Sequence, residues 1–213
     1  MQLYKTPFSR AYWRDALADS KKVRTLVFSA LMVASCVALS YLQSVPIVNN
    51  IKITWGFLAR ALCGMVGGPL NAIVFGVVED TVSYLCNPAG GAYNPFYIIT
   101  TVLGVMTYAL LLYRTRVTVW RIILAKALTN LQNVFLGSLG TYLFYSNKGY
   151  WVIVGGSAVK NAIMCPVQSV MLIILFSAMM PILVRMSLMP AEADGLGTSR
   201  LANRLRSDKT GQA

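Results

Sequence analysis

The fold is decided by residues 53–86, which read ITWGFLARALCGMVGGPLNAIVFGVVEDTVSYLC. This apolar stretch is too long for one membrane-spanning helix of about 20 residues and too short for two full ones. Gly67-Gly68-Pro69 interrupts it. Gly permits a tight turn and Pro is favoured in the first turn of a helix, so this tripeptide marks a break. We therefore predict two short helices over 53–67 and 69–86.

The rest of the chain has the composition of a membrane protein. Hydrophobic residues make up 56% of the 213 residues and charged residues 12%, whereas soluble domains have roughly 45–50% and about 25%. Four further apolar segments are candidates for spans: 25–45, 95–113, 120–145 and 158–187. The sequence predicts an all-α integral membrane protein with a six-transmembrane-helix bundle over 23–188. A basic segment 1–22 precedes the bundle, and a polar tail over 189–213, which we expect to be disordered, follows it.

Lys and Arg are unevenly distributed between the two sides of the predicted bundle. Fourteen of them flank the spans on the side of the N-terminus, whereas Lys52 and Lys148 lie in loops on the opposite side. Cytoplasmic loops are enriched in Lys and Arg. We therefore expect a multi-pass protein of the cell membrane with both termini in the cytoplasm. The net charge of +12 reflects this bias, and no nucleic-acid partner is expected.

Several classes of enzyme are excluded by residues that the sequence lacks. The chain has no His, so His-based proton relays, HExxH zinc sites and Ser-His or Cys-His pairs are impossible. No GxxxxGK[ST] motif for ATP hydrolysis occurs. Glu79 and Asp80 point about 100° apart on a helix, which is poor geometry for a metal site. We expect binding without catalysis, with no metal and no cofactor, although a small polytopic membrane enzyme remains the alternative from another class.

Ionisable residues inside the predicted spans indicate function, because each costs roughly 2.5–3.5 kcal/mol at a helix centre. Arg60 could instead form a structural ion pair with Glu79 or Asp80. Lys126 could extend its side chain to the cytoplasmic face. Lys160 follows Gly155-Gly156-Ser157, and we expect a helix to begin there. A helix N-terminus and a cation together would attract an anion.

Aromatic and amide side chains are concentrated on the predicted outer side. The loop 87–97 has no charge and contains several aromatic residues, which could also form an interfacial aromatic belt. Together with the cations, these groups suit a flat heteroaromatic anion. The predicted binding residues are Lys160, Asn133, Tyr93, Asn94, Trp151, Trp55 and Arg60.

Three stretches carry a family resemblance. The first has small residues at Ala30, Ala34 and Ala38. The second consists of Gly67-Gly-Pro with its continuation to Asp80, followed by Gly91-Ala-Tyr-Asn-Pro95. The third consists of Leu131-Gln-Asn133, followed by a segment over 159–168. In order and spacing these resemble the substrate-binding S components of energy-coupling factor (ECF) vitamin transporters, most closely the folate-specific FolT group. The resemblance covers roughly residues 22–186.

The resemblance implies a six-helix S component that binds a vitamin on its outer side. It implies folate as the ligand, with another flat vitamin such as riboflavin as the alternative. The implied partners are a transmembrane coupling protein and two cytoplasmic ATPases. Asn133 and Lys160 match pocket positions of the family, and Ala30, Ala34 and Ala38 would form the face that docks on the coupling protein.

Overall fold

The computed structural model describes residues 3–4, 9–41, 45–48, 51–53, 55–86 and 94–198. Its elements, in chain order, are α1 (Arg10–Ser20), α2 (Val23–Tyr41), β1 (Val45–Val48), β2 (Ile51–Ile53), α3 (Phe57–Cys86), α4 (Phe96–Leu112), α5 (Val119–Gln132), a π-helical turn (Asn133–Gly137), α6 (Ser138–Phe144) and α7 (Tyr150–Arg185). The strands form an antiparallel hairpin, which the sequence analysis did not predict. The predicted helical membrane bundle is confirmed.

Four helical segments of the described chain are long and apolar enough to cross a membrane. They are α2, α3, the continuous stretch from α5 through α6, and α7. The apolar helix α4 is shorter, with 17 residues. When the two halves of α3 are counted separately, the described bundle contains the six predicted membrane helices.

The break predicted at Gly67-Gly68-Pro69 is present as a sharp kink inside α3. Gly68 adopts φ 75° and ψ 179°, a left-handed conformation that side chains other than Gly rarely tolerate. A Cβ at this position would also approach the ring of Tyr113 to 3.0 Å. Pro69 then starts the second half of α3, where its missing N–H costs nothing. The kink therefore requires Gly68 and accommodates Pro69.

Helix α4 packs closely against both halves of α3. A Cβ at Gly64, before the kink, would lie 2.8 Å from the carbonyl oxygen of Val105. A Cβ at Gly76, after the kink, would lie 2.8 Å from Cα of Val102. These two glycines let the backbones approach, as small residues do at helix interfaces in membranes. The main buried core is built around this contact.

The short helix α1 is fixed to the connection between α4 and α5, at what we call the α1 end of the bundle. Tyr12 is fully buried and its ring meets that of Tyr113 edge-on, with centroids 5.4 Å apart. Tyr113 Oη donates to Asp19 Oδ2 over 2.7 Å, and Arg114 Nη2 donates to the same oxygen over 2.7 Å. Burial acts to raise the pKa of Asp19, but the hydrogen bonds from Lys22, Tyr113 and Arg114 outweigh it and hold that pKa below its usual value.

The predicted start of the last helix is wrong. Helix α7 begins at Tyr150 rather than at residue 158, and it runs through Gly155 and Gly156. A Cβ at either glycine would meet nothing within 4 Å, so neither residue is there to allow a turn or a close contact. Lys160 therefore lies inside α7, away from the helix N-terminus.

The start of the tail is ordered, although we expected disorder from residue 189. Ala191–Ala193 form a 3-10 turn, and the Val117 N–H donates to the carbonyl oxygen of Ala193 over 2.9 Å. Met189 and Ala193 are buried. These apolar side chains cover the α4–α5 connection, which explains the order of this part. Residues 199–213 lie outside the described chain.

The close approach of α3 and α4 gives a stability prediction. Gly64→Ala should lower the melting temperature of the detergent-solubilised protein, because overpacking costs about 1–3 kcal/mol. The gain in helix propensity is only about 0.5–1 kcal/mol. Gly156→Ala is the matched control and should leave the melting temperature unchanged or raise it. A Gly64→Ala variant as stable as Gly156→Ala would contradict the packing described here.

Candidate functional site

A cavity of about 210 Å³ lies between α3, α4, α5 and α7. It is displaced towards the end of the bundle opposite the α1 end, which we call the cavity end. The lining is mainly polar but uncharged: Thr100, Thr101, Thr129, Asn130, Gln132, Asn133, Asn161 and Gln168. Phe57 and Tyr108 contribute aromatic surfaces. Such a lining can bind a ligand that offers many hydrogen-bonding groups on a flat ring.

Three cations also line the cavity, and one of them is neutralised within the protein. Arg60 forms a two-point ion pair with Glu79, with 2.9 Å from Nη2 to Oε1 and 3.1 Å from Nε to Oε2. Glu79 is buried, at 2% exposure. This agrees with the expectation that Arg60 pairs with a carboxylate of the neighbouring helix half. The neighbouring Asp80 instead accepts a hydrogen bond from Thr101 over 3.2 Å.

Lys126 is inside the bundle, which corrects the expectation that it reaches the cytoplasmic face. Its side chain is 5% exposed and its Nζ lies 4.5 Å from the centroid of the Phe57 ring. Lys126 shares a helix face with Ile122 and Asn130, both of which are buried and lie four residues away on either side. That spacing is the signal by which the sequence could have placed Lys126 in the interior.

The structure brings three of the predicted binding residues to the cavity. Arg60, Asn133 and Lys160 line it. Asn133 opens the π-helical turn, an irregularity that is frequent at functional sites, and its Oδ1 would lie 2.7 Å from a Cβ at Gly137. Lys160 is on the exposed side of the lining.

The other predicted binding residues lie elsewhere or outside the described chain. Trp151 is 75% exposed on the first turn of α7 and does not line the cavity. Asn94 accepts a hydrogen bond from the Phe96 N–H over 3.0 Å at the start of α4. Trp55 is half-buried before α3 and is absent from the lining. Tyr93 lies outside the described residues.

Two buried oxygen atoms of the lining have no hydrogen-bond partner in the described part of the chain. They are Thr100 Oγ1 and Gln132 Oε1. The Gln132 amide is oriented by its Nε2, which donates to Thr107 Oγ1 over 2.8 Å. Unpaired polar atoms are costly in a protein interior, so these atoms are well placed to be satisfied by a ligand. Sequence reasoning missed Thr100, Asn161 and Gln168 as lining residues because neutral polar side chains carry little pattern signal.

The described residues do not form a reactive or metal-binding centre. No group of three or more His, Cys, Asp or Glu side chains that could hold a metal ion is found among them. The cysteines at positions 36, 63, 86 and 165 are unpaired thiols.

The small residues of α2 lie on the outside of the bundle. Ala30, Ala34 and Ala38 are exposed, whereas Phe28 and Cys36 on the other face are buried. If these alanines packed within the bundle, their side chains would be buried. The described structure places them on a free surface instead.

Comparisons with known proteins give consistent results. The family model described as "ECF transporter, substrate-specific component" matches residues 24–176. The chain is 29% identical over 153 residues to the folate transporter FolT of Clostridium novyi (strain NT), covering 71% of this chain and 87% of that protein. A crystal structure of FolT bound with folic acid is similar with a TM-score of 0.63 and 25% identity, covering 72% of this chain and 93% of the other.

Proposed function

We propose, from the premise that this chain belongs to the substrate-specific component family of ECF transporters, that it binds folate in its cavity for uptake. Membership confirms the resemblance stated from the sequence, and it makes the chain a membrane-embedded binding component rather than an enzyme. Components of this family work with a membrane coupling protein and cytoplasmic ATPases, which supply the energy. The fold of the bundle matches this role.

The cavity's charge is the observation that favours folate. Glu79 neutralises Arg60, and no ion pair of Lys126 or Lys160 occurs among the described residues. The exposed Lys160 therefore remains to attract an anionic group of a ligand, and the buried Lys126 remains to donate to another of its polar groups. Folate carries two carboxylates on its glutamate and a flat hydrogen-bonding ring, whereas riboflavin is uncharged. The relatives named for folate support the same choice.

In this proposal the predicted site residues have different roles. Lys160 attracts the carboxylates at the mouth of the cavity, and Asn133 offers its amide to the ligand. Arg60 shapes the wall through its pair with Glu79. Tyr93, Asn94, Trp55 and Trp151 remain predicted contacts of the ligand.

A binding measurement tests the proposal. Lys160→Met removes a charge-assisted hydrogen bond worth roughly 1.5–3 kcal/mol, so the Kd for folic acid should rise about 10- to 100-fold. The measurement is isothermal titration calorimetry on the detergent-solubilised protein. Lys148→Met, an exposed lysine remote from the lining, is the control and should bind normally. Failure of the wild-type protein to bind folic acid, or tighter binding of riboflavin, would overturn the assignment.

We also propose that the bundle crosses the membrane six times with both termini in the cytoplasm. The charge distribution in the sequence supports this, with a membrane domain over 23–188, a cytoplasmic segment 1–22 and a cytoplasmic tail 189–213. The α1 end would then face the cytoplasm and the cavity end the exterior. A cavity that opens outwards is what uptake requires.

Labelling on a Cys-free background tests this orientation. Lys148→Cys and Arg116→Cys place a thiol at exposed positions at opposite ends of the bundle. A membrane-impermeant maleimide added to intact cells should modify residue 148 and leave residue 116 unmodified until the cells are opened. The reverse pattern would place the cavity on the wrong side for uptake.

The exposed alanines of α2 are proposed as the docking face for the coupling protein. Small side chains allow another helix to approach closely in lipid. Ala34→Trp should therefore abolish ATP-driven folate uptake and co-purification with the coupling protein, while folic acid binding is retained. Ile174→Trp, on the exposed side of α7, is the matched control and should preserve uptake. Uptake that survives Trp at residues 30, 34 and 38 would contradict the docking role.

A further inference from the structure

Lys126 is a buried cation without a counter-ion among the described residues. It is 5% exposed and lines the cavity, and its described neighbour is the face of the Phe57 ring at 4.5 Å. An ammonium group has three donors to satisfy, and burial without a partner is costly. A cation–π contact compensates only part of that cost, since it contributes about 0.5–2 kcal/mol. The side chain is therefore poised to donate to something that enters the cavity.

The position of Lys126 along the bundle differs from that of Lys160. Asn130 Nδ2 approaches the carbonyl oxygen of Asn161 at 3.5 Å, which sets these two residues at the same level. Lys126 lies one helical turn, about 6 Å, below that level towards the α1 end. Lys160 precedes Asn161 by one residue, a rise of about 1.5 Å towards the cavity end, and its side chain is exposed. The cavity thus has an inner cation and an outer cation.

The inner part of the cavity suits an uncharged ring better than a dicarboxylate. Arg60 is already paired with Glu79, so Lys126 alone would have to compensate two buried carboxylates, and one negative charge would be left unpaired. A pterin ring is uncharged and presents amide-like donors and acceptors. Those groups match the neutral Thr, Asn and Gln side chains of the lining and the unpaired Thr100 Oγ1 and Gln132 Oε1.

We propose that Lys126 is a specificity-determining residue that donates to the 4-oxo oxygen of the pterin ring and so selects 4-oxo over 4-amino pteridines. This inference rests on the proposed function and adds that the pterin ring occupies the inner part of the cavity. The 4-oxo oxygen accepts hydrogen bonds as an amide carbonyl does. A 4-amino group in its place is itself a donor and would face the ammonium group without a bond. The glutamate end remains near Lys160 at the mouth.

The test compares three ligands with two variants of the full-length protein. Folic acid has an oxygen at position 4 and a hydrogen on N3, whereas aminopterin has a 4-amino group and no hydrogen on N3; the two are otherwise identical. 6-Methylpterin has the 4-oxo ring of folic acid but carries no carboxylate. The variants are Lys126→Met and Lys160→Met, and the readout is the Kd from calorimetry in detergent.

The two lysines should respond to different parts of the ligand. Lys126→Met should weaken the binding of folic acid and 6-methylpterin about 10- to 100-fold, the loss expected for one charge-assisted hydrogen bond. It should leave the Kd for aminopterin within about threefold, since that ligand makes no such bond. Lys160→Met should weaken the binding of folic acid and aminopterin equally and leave the binding of 6-methylpterin unaffected.

A role of Lys126 in folding alone would give a different result. An equal loss of folic acid and aminopterin binding in Lys126→Met, or no loss of folic acid binding, would overturn the inference while leaving folate binding itself established. Retained aminopterin binding shows that the variant is folded. If Lys126→Met does not fold, the wild-type protein decides: it should bind folic acid at least about 10-fold more tightly than aminopterin, and equal affinities would overturn the inference. A wild-type protein that binds no folic acid would overturn the proposed function as well.

Discussion

The ion pair between Arg60 and Glu79 is the interaction on which the rest of the bundle depends. It joins the two halves of α3 across the kink at Gly68, and both groups lie where an unpaired charge would be expensive. By holding the halves side by side, it presents Gly64 and Gly76 together to α4. It also removes one positive and one negative charge from the cavity, so that Lys126 and Lys160 are the cations of the described lining that are left to contact a ligand.

The sequence predicts the fold well because its strongest signals are local. The long apolar segments identify the membrane helices, and Gly67-Gly68-Pro69 identifies the kink, since the positive φ of Gly68 requires glycine and the first turn of a helix tolerates Pro69. The same reasoning fails at Gly155 and Gly156, which α7 runs through. Two glycines weaken a helix by about 1 kcal/mol each, and the surrounding apolar helix is long enough to tolerate that loss.

The site is only partly predictable from the sequence because it is assembled from four helices. Arg60, Asn133 and Lys160 could be identified from charge and from the resemblance, but their neighbours Thr100 and Gln168 come from distant parts of the chain and have no distinctive pattern. Trp151 is an aromatic residue of the expected kind that points away from the cavity. The direction of a side chain in a bundle depends on helix rotation, and apolar composition constrains that rotation weakly when lipid and interior are equally apolar.

Helix α2 has a position that links the outside of the bundle to the ligand. One face carries the exposed alanines, while on the other Cys36 Sγ contacts the carbonyl oxygen of Gly56 at 3.6 Å, and Gly56 and Phe57 are part of the cavity wall. A protein that shifts α2 from outside therefore acts on the wall through a single layer of side chains. Binding at two such surfaces is thermodynamically reciprocal. If a partner bound to α2 changes the affinity of the cavity for its ligand by some factor, the ligand changes the affinity for that partner by the same factor.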